Sequence, residues 1–120
     1  MFKIRRNDKN DIKPEEAREL INTNNKESLI ILDVRTPKEY NESHIENSMN
    51  INYKSKDFKE EIENLDKNKK YIVYCHSGRR SSDAIKIMEK SGFTDLKNIS
   101  GGISTWKKNH CPIVQNLKNI

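Results

Sequence analysis

The stretch from Tyr71 to Ser91 reads YIVYCHSGRRSSDAIKIMEKS, and it changes character twice along its length. Tyr71-Ile72-Val73-Tyr74 is a run of β-branched and aromatic residues, as in a buried strand, whereas Ala84, Ile85, Ile87 and Met88 recur at helical spacing. Between the two lies Cys75-His76-Ser77-Gly78-Arg79-Arg80, so the strand delivers a cysteine into a short glycine-bearing loop that opens a helix. Such a loop gathers inward-pointing backbone N–H groups and adds the positive end of the helix dipole. The result is a cradle for an anion with a thiol at its floor. Arg79 and Arg80 add fixed positive charge, and surroundings of that kind favour thiolate, the nucleophilic form, over thiol. The stretch predicts sulfur chemistry on an anionic substrate.

Upstream of it, Pro14 suits a first helical position, Glu15 and Glu16 suit a helix N-terminus, and Ala17, Leu20 and Ile21 form one apolar face that ends near Asn24-Asn25. Ser28-Leu29-Ile30-Ile31-Leu32 is apolar without alternation from Leu29 on, which predicts a strand covered on both faces as in a parallel sheet. That strand ends in Asp33-Val34-Arg35. Thr36-Pro37-Lys38-Glu39 then reads as a capping box with proline at the first helical position, starting a short helix through Tyr40 and Asn41. A turn over His44 to Ser48 leads to a strand around Met49-Asn50-Ile51, and Phe58, Ile62 and Leu65 mark an amphipathic helix over Ser55 to Asn64.

Downstream, Gly92 stands where a helix C-terminus needs a left-handed residue, Leu96 to Ile99 supplies another strand, and Gly101-Gly102 turns into a last helix carrying Ile103 and Trp106, stopped by Pro112. Strands alternating with helices imply an α/β fold, a parallel sheet with right-handed crossovers and helices on both faces. Ligands of such sheets lie beyond the carboxyl ends of the strands. Asp33, Arg35, Cys75 and Gly101 all sit just past their strands, so separate segments converge on one cleft.

The chain has 120 residues, enough for one hydrophobic core, which is read as a single domain over 11–120 preceded by a basic arm or extra edge strand over 1–10. The net charge of +5 comes from lysines scattered among Asp and Glu, a pattern that argues against nucleic acid as a partner. No stretch is long and apolar enough to span a membrane, and the N-terminus has charges without an apolar run behind them, so the expectation is a soluble, cytoplasmic protein. Two cysteines, Cys75 and Cys111, make a poor disulfide framework and suit a reducing compartment. His44, His76 and His110 are not spaced as a ligand set, and neither a metal nor an organic cofactor is expected.

Taken together, these residues resemble the single-domain rhodanese-like sulfurtransferases from about Ile12 to Val114. The likeness rests on Asp33-Val34-Arg35 with Glu39, Tyr40, His44 and Ile45; on Cys75-x-Ser77-Gly78-x-Arg80-Ser81; on Gly92-Phe93; and on Gly101-Gly102-Ile103 with Trp106 and Pro112. It implies a five-stranded parallel sheet in the order 1-5-4-2-3, which makes the Asp33 and Cys75 strands neighbours. It further implies that Cys75 takes a sulfur from a small anionic donor such as thiosulfate or a persulfide, holds it as its own persulfide, and passes it to a thiol, to cyanide or to an accepting protein. His76, Ser77, Gly78, Arg79, Arg80 and Ser81 would form the substrate loop. Ser43, Asn47 and Ser48 depart from the family, which has glycines and an alanine around the matching histidine; Asn47 is expected to take over a positive φ.

Bland roles stand beside these. Arg80 is read as turned inward to hold the loop or the anion, and Arg79 as either a substrate contact or a surface charge. His76 is read as solvent-facing or substrate-facing. Asp33 and Arg35 either buttress the sheet or orient a loop or an arginine from behind the site. His44 is expected to be a structural hydrogen-bonder, Trp106 a core residue, and Cys111 incidental rather than a resolving thiol. Two rival functions are a non-catalytic binding module and a cysteine-dependent phosphatase or arsenate reductase of the same fold. The phosphatase family places one more residue between cysteine and arginine than the His76 to Arg79 stretch does. A smaller cradle fits a sulfur-centred donor better than a phosphate tetrahedron.

Overall fold

The computed structural model describes residues 9–116, so most of the arm or edge strand expected over 1–10 lies outside the described residues. Five strands make the main sheet: β1 (Asp11–Ile12), β2 (Leu29–Asp33), β4 (Met49–Asn50), β5 (Lys70–Tyr74) and β6 (Leu96–Ile99). All four of their pairings are parallel, in the spatial order β1-β6-β5-β2-β4. Counted along the chain within this sheet alone, that is the expected order 1-5-4-2-3. A separate antiparallel pair joins β3 (Ser43–His44) to β7 (Val114–Gln115), and nothing in the sequence pattern had pointed to it.

The apolar runs of β2 and β5 alternate in direction although they do not alternate in chemistry. Tyr71, Val73 and Cys75 face one side of the sheet, with Leu32 and Leu96, and pack under Phe58 and Ile62 of α3 (Phe58–Glu63) and Ala84, Ile85 and Met88 of α4 (Arg79–Lys90). Ile72 and Tyr74 face the other side, with Leu29, Ile31 and Ile99, against Ala17 of α1 (Pro14–Thr23) and Ile103 and Trp106 of α5 (Gly102–Lys108). Each face needs its own apolar cover, which is why both parities of these strands are hydrophobic. The α2 helix (Pro37–Glu42) lies beyond the carboxyl end of β2.

Local chemistry sets the element ends. Thr36 and Glu39 form the expected capping box on α2, and the Glu16 carboxylate accepts from the Lys13 N–H at the start of α1. Pro14 opens α1, the first helical position the sequence assigned to it, and Ile12 just before it pairs with Ile99 in β1. The third helix was expected from Ser55 and begins at Phe58. Asn52 and Ser55 explain the difference, since their side chains accept from the N–H groups of Lys54 and Asp57 and hold the chain in turns. Asn47 adopts φ 70°, as expected of a residue standing in for glycine. Among the described residues no helix is long and apolar enough to cross a membrane.

Candidate active site

Cys75 follows directly on β5, the middle strand of the sheet, flanked by β6 and β2, and only 1% of it is exposed. The loop after it closes on its sulfur. The Gly78 N–H donates to Cys75 Sγ at 3.1 Å, and Ser81 Oγ, in the first turn of α4, lies 3.4 Å from the same atom. Gly78 is the residue before α4 and has φ 105°, a conformation that favours glycine. No side chain caps this helix, so its first N–H groups, which lack partners within the helix, remain available to a ligand. His76, Ser77 and Arg79 are exposed around the buried sulfur.

The back of the loop is held by a second helix. The N–H groups of Ile103 and Ser104 in α5 donate to the carbonyls of Cys75 and His76 at 2.9 and 3.1 Å. In a trans peptide the N–H points opposite to the C=O, so anchoring these carbonyls on α5 turns the following N–H groups the other way, into the loop. Gly102 makes the approach possible. It has φ 64°, and a Cβ there would come 2.4 and 2.5 Å from the His76 and Cys75 carbonyl oxygens. The sequence presented the glycine pair as a tight turn; its second member is also the place where two backbones meet.

Arg80 turns inward but onto a carboxylate. Its Nη1 and Nη2 donate to Glu39 Oε1 and Oε2 at 2.9 and 3.0 Å, so a planar fork ties the first turn of α4 to the first turn of α2. Hydrogen bonds from Arg80, with further help from the Thr36 N–H and hydroxyl, outweigh partial burial and lower the Glu39 carboxyl to about 2. The same pairing raises Arg80 above the usual guanidinium value. Glu39 thus completes a helix cap and holds an active-site arginine at once. Sequence reasoning assigned it only the first task, and the cap pattern itself hid the second. With Arg80 neutralised, Arg79 is the loop's exposed cation, and it enters no ion pair among the described residues.

Asp33 and Arg35 are both buried, and they clamp one another behind the site instead of reaching the sulfur. Arg35 Nε and Nη2 donate to the Asp33 carboxylate at 2.7–3.1 Å, and Nη2 also donates to the Ser43 carbonyl at 2.6 Å. Burial works against the Arg35 charge, but the Asp33 hydrogen bonds and charge more than offset it and raise the group. The clamp braces the end of β2 against the end of α2. Tyr74 adds to it: its hydroxyl accepts from the Ile45 N–H and meets Ser48 Oγ, fixing the turn that leads to β4, and burial raises its phenol. His44 Nδ1 lies 2.8 Å from the Tyr40 carbonyl and its ring stacks on Tyr40, in keeping with a structural role.

Cys111 belongs to the apolar cluster on the α1/α5 face, where burial raises its thiol, whereas Cys75 belongs to the cluster on the opposite face. Two residues not singled out beforehand complete the site. Asn98, 3% exposed on β6, accepts from the Ser81 hydroxyl at 2.5 Å and donates to Asp11 Oδ1 of β1 at 2.9 Å. An inward-facing asparagine in the strand Leu96–Ile99 was a readable signal, because a buried amide needs partners; Asp11 offered none. Among the described residues no three His, Cys, Asp or Glu side chains gather to hold a metal ion.

The profile of a family described as Rhodanese-like domain matches residues 13–109. The chain is 34% identical over 95 residues to thiosulfate sulfurtransferase GlpE of Coxiella burnetii, covering 79% of this chain and 84% of that one. It is 37% identical over 91 residues to the chloroplastic thiosulfate sulfurtransferase 16 of Arabidopsis thaliana, covering 68% and 76%. Among solved structures, a rhodanese-related protein from Thermoplasma volcanium superposes with a TM-score of 0.76 at 30% identity, over 88% of this chain and 98% of that one.

Proposed function

The chain belongs to the rhodanese-like domain family, and we propose that it is a sulfurtransferase that carries sulfane sulfur on Cys75. The donor is thiosulfate or a similar small anion, and the acceptor is a thiol, cyanide or a thiol of another protein. In the first step Cys75 Sγ attacks the outer sulfur of thiosulfate, the sulfur–sulfur bond breaks, and its electron pair leaves with sulfite. In the second, the acceptor attacks the outer persulfide sulfur and the pair returns to Cys75 Sγ. Both steps place negative charge within the loop, where prearranged N–H donors and the α4 terminus stabilise it without reorganisation. No metal or organic cofactor takes part in either step.

The observation that carries this reading is the donation of the Gly78 N–H to Cys75 Sγ inside an uncapped helix start. A purely structural cysteine has no need of such a donor. The nearly complete burial of Cys75 also favours a small donor presenting a terminal sulfur over a bulky phosphoester. A free thiol must begin each cycle, which fits a reducing, cytoplasmic setting. The names of the Coxiella and Arabidopsis relatives, both thiosulfate sulfurtransferases, point to the same donor.

A cyanolysis assay tests the proposal against a non-catalytic binding module. The parent protein should convert thiosulfate and cyanide to thiocyanate and sulfite, and Cys75→Ser should be inactive while keeping its fold. Absence of thiocyanate with the parent, or equal turnover by Cys75→Ser, contradicts it.

A further inference from the structure

Ser81 has one hydroxyl proton and two places to put it: Asn98 Oδ1 at 2.5 Å and Cys75 Sγ at 3.4 Å. The first is favoured while Cys75 Sγ is uncharged, because the orientation of the Asn98 amide is fixed from outside. Asn98 Nδ2 donates to Asp11 Oδ1, an oxygen that as part of a carboxylate can only accept, and approaches the Gly78 carbonyl at 3.4 Å. The other end of the amide, an acceptor, must therefore face Ser81. Register explains the chain of contacts: Asp11 and Asn98 are Cα partners across β1 and β6, and Asn98 projects to the face that α4 covers, where Ser81 is fully buried.

We propose that Ser81 is a hydroxyl switch for the departing sulfur of Cys75, and that Asn98 and Asp11 are positioning residues that set it. The role rests on the sulfurtransferase reading above. When an acceptor attacks the outer sulfur of the persulfide, the bond to Cys75 Sγ breaks and its electron pair collects on Sγ. The Ser81 O–H then turns from Asn98 to that sulfur and donates to it, with no proton transferred and no bond to oxygen broken. In the loading step charge leaves Sγ, and the hydroxyl swings back to Asn98. A donor to the anionic sulfur thus helps the release step, where the charge develops, and stabilises only the starting state of loading.

The half-reactions separate this role from a structural one. Persulfide is loaded with thiosulfate, followed by intact mass in quenched samples, and then discharged with cyanide. Ser81→Ala should slow discharge by about tenfold while loading is no slower than in the parent. Ser81→Thr, which keeps a hydroxyl, should recover part of the discharge rate. Asp11→Ala unpins the Asn98 amide without touching α4 and should slow discharge by about twofold to threefold, an effect that disappears in the Ser81→Ala background. Should Ser81→Ala fail to fold, slowed discharge with normal loading in Asp11→Ala supports the switch, and equal effects on both steps overturn it. Equal slowing of both steps by Ser81→Ala, or no slowing of discharge, overturns the role of Ser81. An Asp11→Ala effect that persists in the double variant overturns the route through Asn98. A parent protein that takes up no sulfur overturns the underlying reading as well, whereas normal loading isolates failure to the switch.

Discussion

Glu39 joins two parts of the site, since it accepts from the Thr36 N–H and hydroxyl and from both terminal nitrogens of Arg80. Its carboxyl is lowered from 4.5 to about 2, chiefly by Arg80. A depressed folded value stabilises the fold above the ordinary carboxylate range, and the contribution fades as pH falls from about 4.5 to about 2. Because the pair is partly exposed, with side-chain exposures of 22% and 32%, solvent screening limits the effect to about 1–2 kcal/mol. Urea unfolding at pH 7 and at pH 3 should show the parent losing more stability than Glu39→Gln over that interval. Equal losses in the two proteins contradict the assignment. Arg80→Lys should also impair sulfur transfer while keeping the charge, because a single ammonium cannot span both carboxylate oxygens. Parent-level turnover in that variant would show that the fork is dispensable. At this scale Cys75, Gly78 and the inward turn of Arg80 were legible in the sequence. The partner of Arg80 was not, because pairing across 41 positions leaves no periodic trace and Glu39 already had a local explanation.

Two helices meet Cys75 from opposite sides, and they act on different atoms. The start of α4 faces the sulfur, while the start of α5 binds the Cys75 and His76 carbonyls and so sets the direction of the loop. Gly102 is the contact between these elements, and Gly102→Ala should destabilise the protein by about 3 kcal/mol through a left-handed backbone and overlap with two carbonyl oxygens. Sulfur transfer should fall further than the stability loss explains, since the loop must shift away from α5. Denaturant unfolding together with cyanolysis at a temperature where the variant is folded checks both parts. Normal activity in the folded variant contradicts a loop set by α5. Most elements were readable because each carries its own signal: the Thr36-Pro37 start of α2, the apolar face of α1 formed by Ala17, Leu20 and Ile21, and Gly92, which adopts φ 104° after α4. The exceptions have physical causes. The side chains of Asn52 and Ser55 delay α3, and the short pair β3–β7 depends on contact between segments far apart in the chain.

At the scale of the whole molecule, the sheet order places β5 between β6 and β2, so the Cys75 loop emerges with a hydrogen-bonded support on each side: the Asn98 network on one and the Asp33–Arg35 clamp on the other. The order itself came from family resemblance, whereas the two-faced core was legible from continuous apolar runs that only a doubly covered strand can bury. On the proposed reading, loop length within this frame sets the chemistry. The unmodified protein should have negligible activity on p-nitrophenyl phosphate, and a glycine inserted between Gly78 and Arg79 should reduce sulfur transfer, because the N–H groups then no longer converge on one sulfur. Efficient phosphatase turnover by the parent contradicts this view of the cradle. The central claim, that Cys75 carries the sulfur, is tested most directly by intact mass and peptide mapping after incubation with thiosulfate and removal of excess donor. The account predicts a gain of one sulfur atom on the peptide containing Cys75, lost on adding cyanide and absent from Cys75→Ser; an unchanged mass, or sulfur found on Cys111 instead, would contradict it.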